Sequence, residues 1–338
     1  LHRDQMFRIG LQVLTGRAVA ETAGRALTAL ADAAMSALGP AALAEAERQG
    51  GALPGGRVAV VALGKAGSRE MRASSDLDLI TLYEAAPDVV SEIRGWAAGP
   101  FYSRFTQRLI AALSAHTAEG GLYEVDMRLR PGAAKGPVSL RLSALKDYYA
   151  SEADTWEFMA LTRARVVWAD DAGFAAEVTA ALEGILRRPR PGADVAADAR
   201  RMRDLMARER PGRGAWDLKL APGGQVDAEF VAQVGQLHAA AIGEPLTVST
   251  LQALSTEPEL AEAWRLQQAL GQVLAAAFDE PGDPSTEPEG FRRRLAEAAG
   301  CADFEALTAR LKAVRTAARS AFEAALPAPA TEKGPARV

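Results

Sequence analysis

The chain has 338 residues, 49% of them hydrophobic and 24% charged, and its 39 basic and 43 acidic side chains leave a formal charge of −4. That profile excludes a disordered or collagen-like chain and allows about two domains at roughly 150 residues each; the net acidity argues against a broad nucleic-acid surface. The lone Cys301 excludes an internal disulfide and a cysteine-based metal centre and fits a reducing, cytoplasmic setting, while no run approaches about 18 uninterrupted apolar residues and no leader is evident, so neither membrane nor secretion is expected.

Residues 1–52 read as a helical lead-in, because Leu27, Leu30, Ala34 and Leu38 fall at helical spacing and Gly39-Pro40 reads as a stop. The pattern then changes. Arg57 to Leu63 is a β-branched run bounded by Gly55-Gly56 and Gly64, as a buried strand would be. Further strands are predicted over 76–83, 123–130 and 138–142, with a helix over 96–114, which makes residues 53–170 an α+β block. Residues 171–326 return to helices. There Thr256-Glu257-Pro258-Glu259 reads as a capping box before Leu260, Trp264, Leu270, Leu274 and Phe278, and Asp303 reads as the cap of a helix whose Phe304, Leu307, Leu311, Val314 and Phe322 form one stripe. The Arg187 to Gly192 segment reads as a break, and 327–338 as a flexible tail.

The stretch from Gly64 to Leu79 carries the chemistry. Alternate side chains of a strand share a face, so Asp76 and Asp78 project one way and Leu77 and Leu79 the other. Apposed carboxylates repel unless something compensates, and a divalent cation does so economically. By the same alternation Asp126, Arg128 and Arg130 share the face opposite Val125, Met127 and Leu129. If the two strands are neighbours, three aspartates can hold two Mg²⁺ ions about 3.5–4 Å apart, the arrangement used for in-line displacement at phosphorus. The two arginines would neutralise phosphate charge. Gly67-Ser68 is expected to turn tightly enough for its N–H groups and hydroxyl to cradle a phosphate. Other motifs fail: Ala66 follows Gly64-Lys65 where a P-loop needs Ser or Thr, and His2, His116 and His238 are too scattered for a zincin site.

A Gly-Ser turn followed by Asp-x-Asp and a later third Asp resembles the DNA polymerase β-type nucleotidyltransferase superfamily. More specifically, residues 64–84, 122–140, 154–167 and 216–230 resemble, in order, the glutamine synthetase adenylyltransferase/adenylyl-removing enzyme family. The resemblance implies a polymerase β-type catalytic domain (mixed sheet with helices) over 53–170, followed by a helical-bundle domain. It implies ATP as substrate, two Mg²⁺ ions held by Asp76, Asp78 and Asp126, and AMP transfer to a tyrosine of glutamine synthetase with release of pyrophosphate. For the full-length enzyme it implies a PII-type signalling protein and glutamine as effectors, and a part in regulating nitrogen metabolism. Family members carry an adenylylating and an adenylyl-removing half, which agrees with a chain that opens on Leu1 rather than Met. The wording at 160–165 and 226–230 is more like the adenylylating half. The removing half and a non-catalytic module binding signalling proteins are the alternatives, and a dead site should lack an aspartate.

Weaker candidates remain. Lys219, with Asp217, either closes over the cleft before Gly223-Gly224 turns into the helix bearing Asp227 and Glu229, or points into solvent. Arg163 and Arg165 pair with phosphate or with acids in the domain seam. The segment 187–213 holds nine arginines against four acids, and reads as a solvated helix face sooner than a docking patch. His238 is expected to pack, and Cys301 to be an ordinary small residue.

Overall fold

The structure is a computed structural model that describes residues 1–118, 120–132, 136–190, 194–279 and 282–328. It is an α+β fold. Its mixed sheet has five strands: β1 (Arg57–Ala62), β2 (Leu77–Glu84), β3 (Val125–Asp126), β4 (Ser139–Arg141) and β5 (Arg165–Ala169). The spatial order is β3-β2-β1-β5, and β4 also pairs with β2. β1 runs antiparallel to both β2 and β5, whereas β2 runs parallel to β3 and β4.

Both faces of the sheet are covered, which is why β1 shows a continuous apolar run rather than alternation. Val58, Val60 and Ala62 join a core with Leu27, Ala31 and Met35 of helix α2 (Ala20–Gly50) and Phe101, Phe105 and Leu109 of helix α4 (Ala98–Ser114). Ala59 and Val61 join the other core, with Phe174 and Val178 of α7 (Ala172–Leu186), Leu237 of α9 (Gln225–Ala241), Leu270 of α11 (Pro258–Ala277) and Phe322 of α13 (Phe304–Ala325). Ile80 and Leu82 of β2 and Leu140 of β4 join this second core as well, so a whole face of the sheet, not β1 alone, packs on the helical second half. The first helix, α1 (His2–Leu14), packs on α2 and α11, so the lead-in is built into the fold.

Several expectations need correction. Gly39-Pro40 does not stop a helix: α2 runs 31 residues with Pro40 inside it. A Cβ at Gly39 would lie 2.5 Å from the Trp168 indole, so the glycine is there to let β5 approach. By length and composition α2 is also apolar enough to cross a membrane, with a mean hydropathy of 1.4, although Asp32 interrupts its apolar run. One side of the helix, with Leu27, Ala31, Met35, Ala42 and Ala46, packs in the core, and its Asp32 forms an ion pair with Arg165 at 2.9 Å. The strand predicted over 123–130 shrinks to β3, because the chain turns at Arg128 to Arg130. No capping box forms at 256–259; Glu257 precedes α11 without a side-chain bond, and Pro258 takes the first helical position. A true capping box sits at α6 (Thr155–Leu161), between Asp154 and Glu157. Asp303 does cap α13, accepting from the Ala306 N–H at 2.8 Å. Residues 191–193 of the expected break and 329–338 of the expected tail lie outside the described residues.

Candidate active site

The parallel pairing of β2 with β3 sets Asp78 opposite Asp126, and Asp76 lies two residues before Asp78 at the mouth of β2. One carboxylate oxygen from each of the three lies within 4.8 Å of the others. The alternation holds here: Leu77 and Leu79 are buried, while Asp78 is half-buried and Asp76 exposed. The chain makes room for Asp78 with Gly64, the first residue of the short helix α3 (Gly64–Ser68). Gly64 has φ +53°, and a Cβ there would fall 1.9 Å from the Asp78 Oδ2.

Burial, and then the charges of Asp76 and Asp126, push the Asp78 carboxyl up to about 6. Asp126 moves the other way. Arg128 donates from Nε at 2.7 Å and from its backbone N–H at 2.8 Å, with Nη2 also in contact, and this fork holds the Asp126 carboxyl below the usual carboxylate range. Three converging carboxylates, one of them raised by burial and then by the others' charge, form a donor set that suits a hard divalent cation. The Arg128 side chain is 77% exposed, and besides its fork on Asp126 it feels the charges of Asp76 and Asp78.

Other sites are placed differently from the sequence reading. Gly67-Ser68 is not an open turn. It lies in α3, where the Gly67 N–H donates to the Leu63 carbonyl at 2.8 Å and a Cβ would meet the Arg163 carbonyl at 1.9 Å. Ser68 is buried, with its hydroxyl 3.4 Å from the Lys65 carbonyl. Neither lines the cleft beside the aspartates, because packing of α3 on the 163 strand connection consumes that surface. Arg130 does not share the face of Asp126 either. The turn buries it, and it donates to the carbonyls of Met127 (2.6 Å), Pro137 (3.1 Å) and Gly136 (3.2 Å), so it staples its own loop.

The open cleft, about 590 Å³, is bordered by Asp76 and Asp78 and by the cations Lys65, Arg72, Arg163, Arg213 and Lys219. Lys219 is exposed and borders this cleft. Its segment is held by Asp217, which accepts from the N–H groups of Arg213, Lys219 and Leu220. Burial opposes but these three donors prevail, holding the Asp217 carboxyl below its ordinary value. Burial, together with the nearby Arg72 charge, brings Lys65 down to about 7. Arg163 pairs with Glu229 at 3.0 Å on the cleft wall, and Arg165 with Asp32 in the seam.

Lys65 and Arg72 are cleft residues that the sequence reading missed. The signal for Lys65 was present, since it directly follows a glycine ending a buried strand; nothing in the sequence marked Arg72. Asp227 and Glu229 share a helix but part in role. Asp227 is fully buried, accepting from Arg203 Nε at 2.5 Å, the Gly223 N–H at 2.7 Å and Arg319 at 3.3 Å, so it anchors the loop that carries Lys219. Thus the arginine-rich segment 187–213 is not wholly a solvated face: Arg203 of α8 (Val195–Glu209) is 2% exposed. His238 is exposed rather than packed, and Cys301 is half-buried.

The family described as glutamate-ammonia ligase adenylyltransferase matches residues 1–181. A bifunctional glutamine synthetase adenylyltransferase/adenylyl-removing enzyme of Caulobacter vibrioides is 52% identical over 336 residues, covering 96% of this chain and 34% of that protein. Proteins with the same description from Brucella suis and Rhizobium meliloti are 40% and 41% identical, each covering 95% of this chain and 34% of the relative. The chain spans about a third of the length of these curated relatives. With its family match spanning more than half of its residues, the chain belongs to the glutamate-ammonia ligase adenylyltransferase family.

Proposed function

We propose that this chain transfers AMP from ATP to a tyrosine hydroxyl of glutamine synthetase, releasing pyrophosphate, with Mg²⁺ held by Asp76, Asp78 and Asp126. The observation that carries this reading is the convergence of the three carboxylates at the edge of a cleft that cations also border and that is large enough for a nucleotide. Mg²⁺ bound there would neutralise triphosphate charge and lower the pKa of an approaching hydroxyl.

The chain's own residues supply position and charge. Lys65, Arg72 and Lys219 face the cleft as donors for the phosphates, in place of Gly67, Ser68 and Arg130. Arg163 is held by Glu229 and stiffens the wall behind them. Arg128 is free to exchange Asp126 for a phosphate once a stronger cation competes for that carboxylate. Asp126 stays ionised at neutral pH and offers an acceptor for the phenolic proton. A free tyrosine, with a pKa near 10, is a poor nucleophile without such help.

The test uses the chain with Mg²⁺ and α-labelled ATP, with unmodified glutamine synthetase as acceptor, and in parallel with adenylylated glutamine synthetase and inorganic phosphate. Label entering glutamine synthetase is the expected result. Release of ADP in the second arm alone would assign the removing activity instead, and activity in neither arm would leave a binding module.

A further inference from the structure

A second cavity, about 480 Å³, lies away from the aspartates among the start of α2, the Arg69–Glu70 turn, α10 (Thr250–Ala253), α11 and the joint before α13. Its walls are of two kinds. Leu251, Trp264, Leu266 and Ala269 form an apolar floor, with Trp264 2% exposed. The exposed Arg25, Arg69 and Arg265 stand at the rim, and among the described residues none of their guanidinium groups has a carboxylate or hydrogen-bond partner. Arg310 lines the same cavity but already donates to Glu262. The acids present are Glu21, which is exposed, and Glu70, whose carboxylate is occupied by the Thr250 hydroxyl at 2.7 Å and N–H at 3.0 Å. The balance is cationic.

One further observation points to a ligand. Gln268 lines the cavity and is 7% exposed, yet its Nε2 has no acceptor. A buried amide donor left unpaired costs free energy that an acceptor from a ligand would recover. Arg69 is the left-handed C-cap of α3, with φ 62°, its own N–H returning to the Ala66 carbonyl and that of Glu70 to the Lys65 carbonyl, and this turn fixes where Arg69 meets the cavity.

We propose that this cavity binds a small organic anion with an apolar body, its charged head met by Arg25, Arg69 and Arg265 and its apolar part resting on Trp264 and Leu266. The same wall reaches the nucleotide cleft. Residues 69–72 are fastened to the helices around the cavity at three successive points: Glu70 to Thr250, the Met71 carbonyl to Gln272 Nε2 at 2.8 Å, and Arg72 Nη2 to Gln268 Oε1 at 2.9 Å. Arg69 and Glu70 face the cavity, while Arg72 and Ser74 to Asp76 face the cleft. An anion that engages Gln268 and Arg69 therefore acts on the segment that presents Arg72 to the phosphates. This coupling rests on the nucleotide reading given above; binding in the cavity does not.

Benzoate and phenyl phosphate serve as probes that share an apolar body and differ in the anionic head, with benzyl alcohol as the neutral control. Calorimetry on the whole chain should show one saturable site for at least one anion, at least about tenfold weaker for benzyl alcohol and for the R25A/R265A variant, whose thermal unfolding should match the parent. It should also show the affinity for a nonhydrolysable ATP analogue shifting at least about threefold when the anion is present. Absence of saturation by either anion up to about 10 mM, or binding undiminished in R25A/R265A, overturns the site. Anion binding with an unchanged affinity for the ATP analogue overturns the coupling. An analogue that fails to bind even without the anion instead overturns the nucleotide reading, and the benzoate and phenyl phosphate titrations still decide the site.

Discussion

Asp78 is where function and stability oppose each other most directly. Its carboxyl rises from 3.8 to about 6 because burial and the charges of Asp76 and Asp126 disfavour the ionised form. The folded chain thus binds more protons than the unfolded one between those values, so its stability from this group falls as pH rises from about 4 to about 6 and stays low above that. A shift of roughly two units at about 1.4 kcal/mol each sets the cost near 3 kcal/mol at pH 7. Asp78→Asn keeps the shape and removes the charge. With chelator present, urea unfolding of D78N at pH 7 should show a gain of about 1–3 kcal/mol over the parent, and the gain should vanish below about pH 4. Mg²⁺ should then stabilise the parent but not D78N, since binding to the folded form alone raises its stability. A D78N chain no more stable than the parent in chelator at pH 7 would refute the view that these carboxylates are held together against their own repulsion for a cation.

Four other outcomes follow from the same geometry. Asp126→Asn should lower AMP transfer by about 10²–10³-fold or more while leaving the unfolding transition in place; near-normal transfer would remove Asp126 from the chemistry. Lys219→Ala should weaken ATP binding, measured by calorimetry, and unchanged affinity would return Lys219 to the role of a solvent-facing turn residue. Because Lys65 sits near 7, a mild acylating reagent at pH 7 should modify it ahead of the other lysines, and ATP should protect it, as read by peptide mass spectrometry. Asp227→Asn should cost about 3–5 kcal/mol in unfolding free energy, because Arg203 at 2% exposure would keep its charge and lose its partner; a loss under about 1 kcal/mol would mean solvent reaches that pair.

The sheet and the three aspartates were legible in the sequence because strand alternation is a local rule, and a run such as Leu77-Asp78-Leu79 reports its two faces directly. Asp126 was legible for the same reason, though only for the two residues of β3. Past them the rule lost its footing: Arg128 and Arg130 sit at the correct spacing, but the chain has turned, so one forks Asp126 and the other staples carbonyls. The α2 helix shows the complementary failure. Proline after glycine is a sound local stop signal, yet the space taken by Trp168, 129 residues away in the chain, makes glycine a packing requirement and the helix continues.

Gly67 sharpens this point, since its residue type was read correctly and its reason was not. A Gly-Ser pair beside an Asp-x-Asp strand suggests an open turn offering N–H groups to phosphate. The structure shows a glycine demanded by the Arg163 carbonyl, with its N–H already spent inside α3. That close approach has a consequence for the cleft: with Gly67 pressed against the 163 backbone, Gly64 is held under Asp78 and the Lys65 side chain borders the cleft. The glycine contributes by setting where α3 begins, and the cations that face the aspartates come from Lys65 and from chain segments too distant for spacing to reveal: Arg72 beyond the turn, Arg163 after α6 and Lys219 on the loop anchored by Asp227. A charge-lined cleft assembled from four separated segments is a property of the tertiary fold, whereas the carboxylates it surrounds belong to two strands and were readable one strand at a time.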